Sequence, residues 1–141
     1  RSLLLAESAT SELVWLRCYY ILGDDRRSNS IFTRLLEAVD AGQEALPFTT
    51  GANKYDFIDV DDLAAQITVA ATTPGIVGVL NCSSGVPVSL ADQVESFIGA
   101  NQLPIKLAYG AFPDRPYDSP AVWGDSEEIE RIMAESEDAS A

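Results

Sequence analysis

The sequence predicts an α/β fold in which mixed or parallel strands are flanked by helices. Segments with a strand pattern alternate with segments with a helix pattern along the chain, which is typical of layered α/β proteins. Residues 13–22 form an almost continuous apolar and aromatic run, as expected for a strand buried on both faces of a parallel sheet. The segments with a helix pattern place their apolar side chains on one face.

The first half of the chain alternates these elements. The predicted elements are, in order, a helix end at 2–11, a strand at 13–22, a helix at 30–41, strands at 46–49 and 55–60, and a helix at 63–71. Ser28 or Asn29 is expected to cap the helix at 30–41, and Asp61 or Asp62 to cap the helix at 63–71. The adjacent carboxylates of Asp61 and Asp62 suit a helix start better than a metal site, because they interact favourably with the helix dipole.

The second half continues the alternation. Its predicted elements are a strand at 78–83, a helix at 90–100, a strand at 105–109, a Pro-rich loop at 110–121 and a helix from about Ser126. Ser89 is expected to cap the helix at 90–100, with Val94, Phe97 and Ile98 facing inward.

Charge limits the classes of partner. The chain has 141 residues, enough for one compact domain or a large piece of one, and a net charge of −13. Such a surface repels nucleic acid and anionic membranes, so neither is an expected partner. Any anionic ligand needs a local cluster drawn from only nine basic residues.

Cysteine and histidine usage limits the chemistry. Cys18 and Cys82 are predicted to be buried free thiols in a reducing compartment, which favours a cytoplasmic location. There is no histidine, so the commonest general base and the commonest metal ligand are missing. We expect no metal site.

Four segments together resemble a known family. Residues 16–23 (LRCYYILG) are similar to a strand ending in R-x-x-N-V-Y-G-P, and residues 55–64 (YDFIDVDDLA) to R-D-F-I-H-V-D-D-V-A. Residues 78–90 are similar to G-V-Y-N-x-G-S-G-x-P-V-S-L, and residues 115–125 to R-x-x-D followed by W-A-D. In this order they resemble the C-terminal half of extended short-chain dehydrogenases, the NAD-dependent epimerases and dehydratases of nucleotide sugars.

The chain departs from the family pattern at several positions. Tyr20 replaces the family's Asn, which in relatives touches the sugar nucleotide, and Leu22 and Asp24 replace a Tyr and a Pro. Tyr55 replaces the Arg that precedes D-F-I, with Lys54 one place earlier. These departures concern substrate contacts rather than the fold.

The resemblance implies a domain organisation. The chain would be the C-terminal part of an extended Rossmann-type short-chain dehydrogenase, with the dinucleotide-binding half absent. Residues 1–27 would hold the end of the catalytic-segment helix and a strand of the Rossmann sheet. Residues 28–141 would form the substrate-binding lobe, with an acidic C-terminal helix or tail.

The family's catalytic elements are missing from the sequence. The family uses a Tyr-x-x-x-Lys pair, whereas neither Lys54 nor Lys106 has a Tyr four residues before it. The glycines nowhere show the spacing of the phosphate-binding loop. We therefore expect NAD or NADP to serve the full-length enzyme and not to bind to this chain alone, and we assign no catalytic residue. The chain is expected to begin just after the active-site lysine.

Arg115 is the best candidate for substrate binding. The resemblance aligns it with the family arginine that grips the pyrophosphate, and a guanidinium is a natural bidentate partner for phosphate. The alternative is a structural ion pair with Asp118, itself a candidate contact. Lys54 and Tyr55 are further candidates; Lys54 could instead be an ordinary exposed turn lysine.

Two further candidates lie near the first strand. Tyr20 occupies the position of the family's Asn, and Asn29 could contact the nucleotide, although capping explains Asn29 as well. Tyr19 and Tyr20 are also candidate cofactor contacts. Trp123 could stack on a base, but the sequence favours a core anchor.

The favoured function is the substrate-binding part of an NAD(P)-dependent nucleotide-sugar epimerase, dehydratase or reductase. The expected partners are a nucleoside-diphosphate sugar, the missing N-terminal NAD(P)-binding half and, as one option, a second copy in a homodimer. Two alternatives stay open. One is a non-catalytic interaction or dimerisation module of the same fold, and the other is a reductase of a non-sugar carbonyl compound.

Overall fold

The computed structural model describes residues 13–23 and 28–138 of the chain. The predicted helix end at 2–11 lies outside these residues, as do Arg26 and Arg27. The described strands are β1 (Val14–Cys18), β2 (Tyr20–Leu22), β3 (Ala45–Pro47), β4 (Lys54–Asp59), β5 (Gly78–Cys82), β6 (Pro87–Ser89), β7 (Lys106–Ala108) and β8 (Ala121–Val122). The described helices are α1 (Ile31–Asp40), α2 (Val60–Thr72), α3 (Leu90–Ala100) and α4 (Glu127–Asp138).

Parallel pairing dominates the sheets. Strand β1 pairs with β5, β2 with β4, β3 with β7 and β4 with β8, all in the parallel sense. Strand β4 also neighbours β6. These pairings and the flanking helices confirm the predicted α/β class. The short strands β6 and β8 were not predicted from the sequence.

The described residues divide into two units that alternate along the chain. The first unit contains residues 13–22, 56–86 and 123–138. One cluster in its core joins Leu80 and Ala70 to Ile129 and Ile132 of α4. A second cluster joins Ile58, Leu63 and Cys82, with Leu16 of β1 packed against it.

The second unit contains residues 23 and 28–55 together with residues 87–122. Helices α1 and α3 cover β3 and β7, and its core residues are Leu35, Ala38, Phe48, Val94, Ile98, Ile105 and Leu107. Val94 and Ile98 are buried as predicted, and Phe97 packs on Phe32 with ring centroids 5.2 Å apart. The division at residues 27 and 28 into a Rossmann part and a substrate lobe stays a prediction.

The predicted N-cap is correct for α3, but the N-caps of α1 and α2 differ from the predicted residues. Ser89 Oγ accepts the amide of Asp92 at 3.0 Å, as predicted. Helix α1 is capped by Ser30 instead of Ser28 or Asn29, and α2 by Asp59 instead of Asp61 or Asp62. Because β4 runs directly into α2, the last strand residue also serves as the cap.

The prediction of one strand at 13–22, buried on both faces, is wrong. The run is divided at Tyr19, where β1 ends its pairing with β5 and β2 begins to pair with β4. Tyr20 and Ile21 are about half exposed, at 47% and 53%. Within the described residues, β1 pairs only with β5 and β2 only with β4. Each strand therefore lies at the edge of its sheet, and the apolar run is not buried in a sheet interior.

Two burial predictions also fail. Cys18 is exposed, whereas Cys82 is buried as predicted. Trp123 is 54% exposed and is not a core anchor, because the packed position is that of the neighbouring Gly124. No helix in the described ranges is long and apolar enough to cross a membrane.

Candidate substrate-binding site

The loop at 109–120, which contains two of the predicted site residues, is attached to the segment at 48–54 along its length. Near its start, the amides of Gly110 and Phe112 donate to the carbonyls of residues 49 and 48, at 3.2 Å each. The loop therefore has defined attachment points despite its exposure. Both segments belong to the second unit.

Asp114 fixes the middle of the loop. Its Oδ2 accepts the hydroxyl of Thr50 at 2.7 Å, and its Oδ1 accepts the amide of Thr50 at 3.2 Å. These two bonds satisfy both carboxylate oxygens immediately before Arg115. The position of the arginine backbone is thereby tied to the turn that precedes β4.

The far end of the loop is attached beside Lys54. The side-chain amide of Asn53 donates to the carbonyl of Ser119, and the backbone amide of Lys54 to that of Pro120, each at 2.9 Å. The structure thus places the backbone of Lys54 beside the end of the loop that carries Arg115 and Asp118.

Arg115 extends from this loop into solvent. Its carbonyl accepts the amide of Asp118 at 3.1 Å, which closes a turn. Within the described part of the chain, the guanidinium makes no hydrogen bond or ion pair, including none with Asp118. The cationic head is available for a ligand.

Lys54 and Tyr55 lie at the start of β4. They pair in register with Ala121 and Val122 of β8, so they sit beside the strand that follows the loop. Lys54 is exposed and Tyr55 is half-buried. Asn29 is exposed directly before the Ser30 cap, and no hydrogen bond or ion pair among the described residues joins Asn29 to the loop.

The two candidate tyrosines belong to the first unit. They follow the carboxyl end of β1, the end at which parallel α/β sheets bind ligands. The ring of Tyr20 contacts that of Phe57 with centroids 5.8 Å apart. Tyr19 is half-buried beside Gly124.

A buried carboxylate that the sequence did not single out organises the same unit. Asp56 is fully buried, and its Oδ1 accepts the amide and the hydroxyl of Ser84 at 2.8 and 2.7 Å. Its Oδ2 accepts the amides of Gly85 at 3.0 Å and Gly124 at 3.1 Å. One side chain thus joins β4, the turn after β5 and the segment before α4.

The strand pattern contained a signal for this role. Asp56 and Ile58 are two residues apart and therefore point to the same face of β4. An acid at an inward strand position must find hydrogen-bond donors, because burying an unpaired carboxylate is costly. Among residues 13–23 and 28–138, the donors are backbone amides and one hydroxyl, and no cation takes part.

A separate open cavity of about 370 Å³ lies beside β5 and the start of α4. Its lining residues are Val79, Leu80, Asn81, Asp125, Glu127, Glu128 and Arg131. None of the predicted substrate-binding residues is among them. The described residues contain no cluster of His, Cys, Asp and Glu suited to a metal ion.

Comparison with known proteins places these features in a family. The family model for the NAD dependent epimerase/dehydratase family matches residues 3–82. The dTDP-6-deoxy-L-talose 4-dehydrogenase (NAD(+)) of Aggregatibacter actinomycetemcomitans is 50% identical over 119 residues, which cover 83% of this chain and 44% of that protein.

Solved structures share the fold. The UDP-N-acetylglucosamine 4-epimerase from Methanobrevibacter ruminantium, in complex with UDP-N-acetylmuramic acid, matches with a TM-score of 0.75 at 22% identity, covering 92% of this chain and 43% of that chain. RMD from Pseudomonas aeruginosa, complexed with NADPH, matches with a TM-score of 0.78 at 16% identity, covering 94% and 46%. The chain spans less than half the length of each of these proteins. With the family model matching more than half of its residues, the chain belongs to the NAD dependent epimerase/dehydratase family.

Proposed function

We propose that this chain is the nucleotide-sugar-binding part of an NAD(P)-dependent enzyme that oxidises or reduces carbon 4 of a dTDP-linked 6-deoxyhexose. The name of the relative that is 50% identical supports the reaction type, the nucleotide and the sugar class. The single structural observation that carries the proposal is the uncommitted guanidinium of Arg115 on a tethered loop.

The attachment of the loop at 109–120 matters for affinity. Without it, binding of a ligand would have to order the loop, at a cost in conformational entropy. A loop that is already attached to β4 and to the 48–54 segment loses less conformational freedom when it closes on a ligand. The hydrogen bonds from Thr50 hold Asp114 and so limit where the backbone of Arg115 can move. Such preorganisation lowers the cost of a bidentate contact to a diphosphate.

The unpaired charge of the Arg115 guanidinium supports its role in binding a diphosphate. The chain has a net charge of −13, so long-range electrostatics oppose the approach of a diphosphate. A cation already paired with a carboxylate would have to exchange one partner for another. Arg115 makes no ion pair in the described residues, and the backbone of Lys54 is attached to the same loop.

The starts of α2 and α4 do not suit the pyrophosphate of a dinucleotide. At the β4–α2 junction, Asp59 caps the helix, and Asp61 and Asp62 occupy its first turn. The first turn of α4 contains three glutamates, Glu127, Glu128 and Glu130. Negative side chains at these helix starts take the place that an anionic cofactor would need. Cofactor binding and hydride transfer are therefore proposed to belong to another part of the enzyme, and we assign no proton-transfer residue here.

The test is calorimetric titration of the chain with dTDP, UDP, CDP and NAD⁺. The proposal expects heat of binding for a nucleoside diphosphate, strongest for dTDP, and none for NAD⁺. A chain that acts only as an interaction module would bind none of them. Binding of a small carbonyl compound in preference to every nucleotide would support the non-sugar alternative.

A further inference from the structure

The two cysteines of the chain lie opposite each other at the ends of neighbouring strands. Cys18 is the last residue of β1 and Cys82 is the last residue of β5, and the parallel register pairs them directly. Both belong to the first unit. The sequence separates them widely, so only the fold brings them together.

Their side chains share one face of the strand pair. Cys18 points to the same side of β1 as Leu16, two residues earlier, and Leu16 packs against the cluster that contains Cys82. Adjacent strands are about 4.8 Å apart. A disulfide needs a Cα separation of about 4.4–6.8 Å, so the spacing of the two strands falls within the bridging range.

The two thiols differ in their access to solvent. Cys18 is exposed, whereas Cys82 is fully buried. Burial, with a further contribution from Cys18, raises the pKa of the Cys82 thiol to about 11. An external oxidant can therefore reach the sulfur of Cys18 and not that of Cys82.

We propose that Cys18 and Cys82 are a redox-sensitive thiol pair that a peroxide converts to an intramolecular disulfide. In the first step, the Cys18 thiolate attacks one peroxide oxygen. The O–O bond breaks, a sulfenic acid forms, and the leaving hydroxide takes up a proton to become water. In the second step, deprotonated Cys82 attacks the sulfenic sulfur, the S–O bond breaks and a second water leaves. Two thiols are oxidised by two electrons while one peroxide is reduced to two waters.

The bridge would act at the carboxyl ends of β1 and β5, the end at which parallel α/β sheets commonly bind ligands. Cys18 directly precedes Tyr19, and Cys82 directly precedes the turn whose Ser84 binds Asp56. A disulfide here constrains the carboxyl ends of β1 and β5 relative to each other. Oxidation would thus alter the segment that carries the two candidate tyrosines.

The experiment treats the reduced chain with one equivalent of hydrogen peroxide and digests it with trypsin without a reductant. Cleavage after Arg17, Arg26, Lys54 and Lys106 leaves Cys18 in the peptide 18–26 and Cys82 in the peptide 55–106. We expect these two peptides to be linked in monomeric protein and released by dithiothreitol. Once the sulfenic acid has formed, its conversion to the disulfide should accelerate about tenfold for each pH unit between pH 7 and 9, because this second step needs the Cys82 thiolate.

Matched variants distinguish disulfide formation from oxidation of Cys18 alone. Cys82→Ala should keep a sulfenic acid on Cys18 that dimedone traps, whereas Cys18→Ser, a change at an exposed position, should be inert to peroxide. A dimedone adduct on Cys18 of the wild-type chain without linked peptides would overturn the proposal. Linkage between the Cys18 residues of two copies would overturn it as well.

Discussion

Oδ2 of Asp56 accepts the backbone hydrogen bond of Gly124 at 3.1 Å, although the two residues are 68 positions apart in the sequence. This contact attaches the segment before α4 to the middle of β4. The same carboxylate also binds the turn after β5, so its loss would loosen two connections of the first unit together.

Asp56→Asn should destabilise the chain by about 2–4 kcal/mol. The amide replaces one accepting oxygen by a donor that faces other donors, which leaves buried N–H groups unsatisfied. Urea denaturation followed by circular dichroism measures the change. Asp62→Asn removes the same charge at an exposed position in the first turn of α2 and should cost only about 0.3–1 kcal/mol. Equal effects of the two substitutions would contradict a special role for Asp56.

Gly124→Ala should destabilise the chain by about 1–3 kcal/mol, as overpacking does. A Cβ at this position would lie 2.8 Å from Cε2 of Tyr19 and 2.7 Å from Cβ of Ser83, and would also meet the Ser83 hydroxyl. Gly99→Ala, within α3 and with no atom near the added Cβ, should instead stabilise by about 0.5–1 kcal/mol. Thermal denaturation should show shifts of opposite sign, and a harmless Gly124→Ala would mean that the packing around Tyr19 is loose.

The raised pKa of Cys82 predicts a loss of stability at alkaline pH. Its thiol moves from the ordinary value of 9.0 to about 11 in the folded chain. Between these values the unfolded state releases its proton first, so stability is intact below pH 9 and falls as the pH rises toward 11. The stability lost over this range is about 2–3 kcal/mol. The difference in unfolding free energy between wild type and Cys82→Ala, measured from pH 8 to 11, should shrink with rising pH; a constant difference would show that the thiol does not titrate in this way.

Thr50→Val should weaken nucleotide binding without unfolding the chain. The substitution removes the 2.7 Å hydroxyl bond to Asp114 and loosens the loop before Arg115. A single hydrogen bond of this kind contributes about 0.5–1.5 kcal/mol, so dTDP affinity should fall about 2- to 12-fold. Thr68→Val, which removes a helix-surface hydroxyl in the other unit, is the matched control and should leave dTDP binding unchanged.

Much of the fold could be predicted because it depends on local patterns. The alternation of apolar segments indicated the order of the longer strands and the helices, and Ser89 was identified as a cap from its place before an amphipathic run. The short strands β6 and β8 escaped prediction. They have three and two residues and exist only because β4 is there to pair with them.

Side-chain exposure was harder to predict because it depends on what covers each strand. Cys18 and Trp123 both have the character of core residues and both lie at the surface. Asp56 shows the opposite case. It has a carboxylate side chain and is fully buried, and its hydrogen-bond donors are distant in the sequence. The loop around Arg115 was recognised by resemblance, but its attachment to Thr50 and Asn53 required the structure.

The central claim is that Arg115 holds the diphosphate of a nucleotide sugar, and titration of dTDP into three forms of the chain tests it most directly. A charge-assisted hydrogen bond contributes about 1.5–3 kcal/mol, so Arg115→Ala should weaken dTDP binding about 10- to 150-fold. Arg115→Lys should recover only part of the affinity, because an ammonium lacks the two-pronged geometry. Arg34→Ala, which removes the same charge from the exposed surface of α1, should change affinity little. Unchanged dTDP affinity in Arg115→Ala, or an equal loss in Arg34→Ala, would contradict the proposed site.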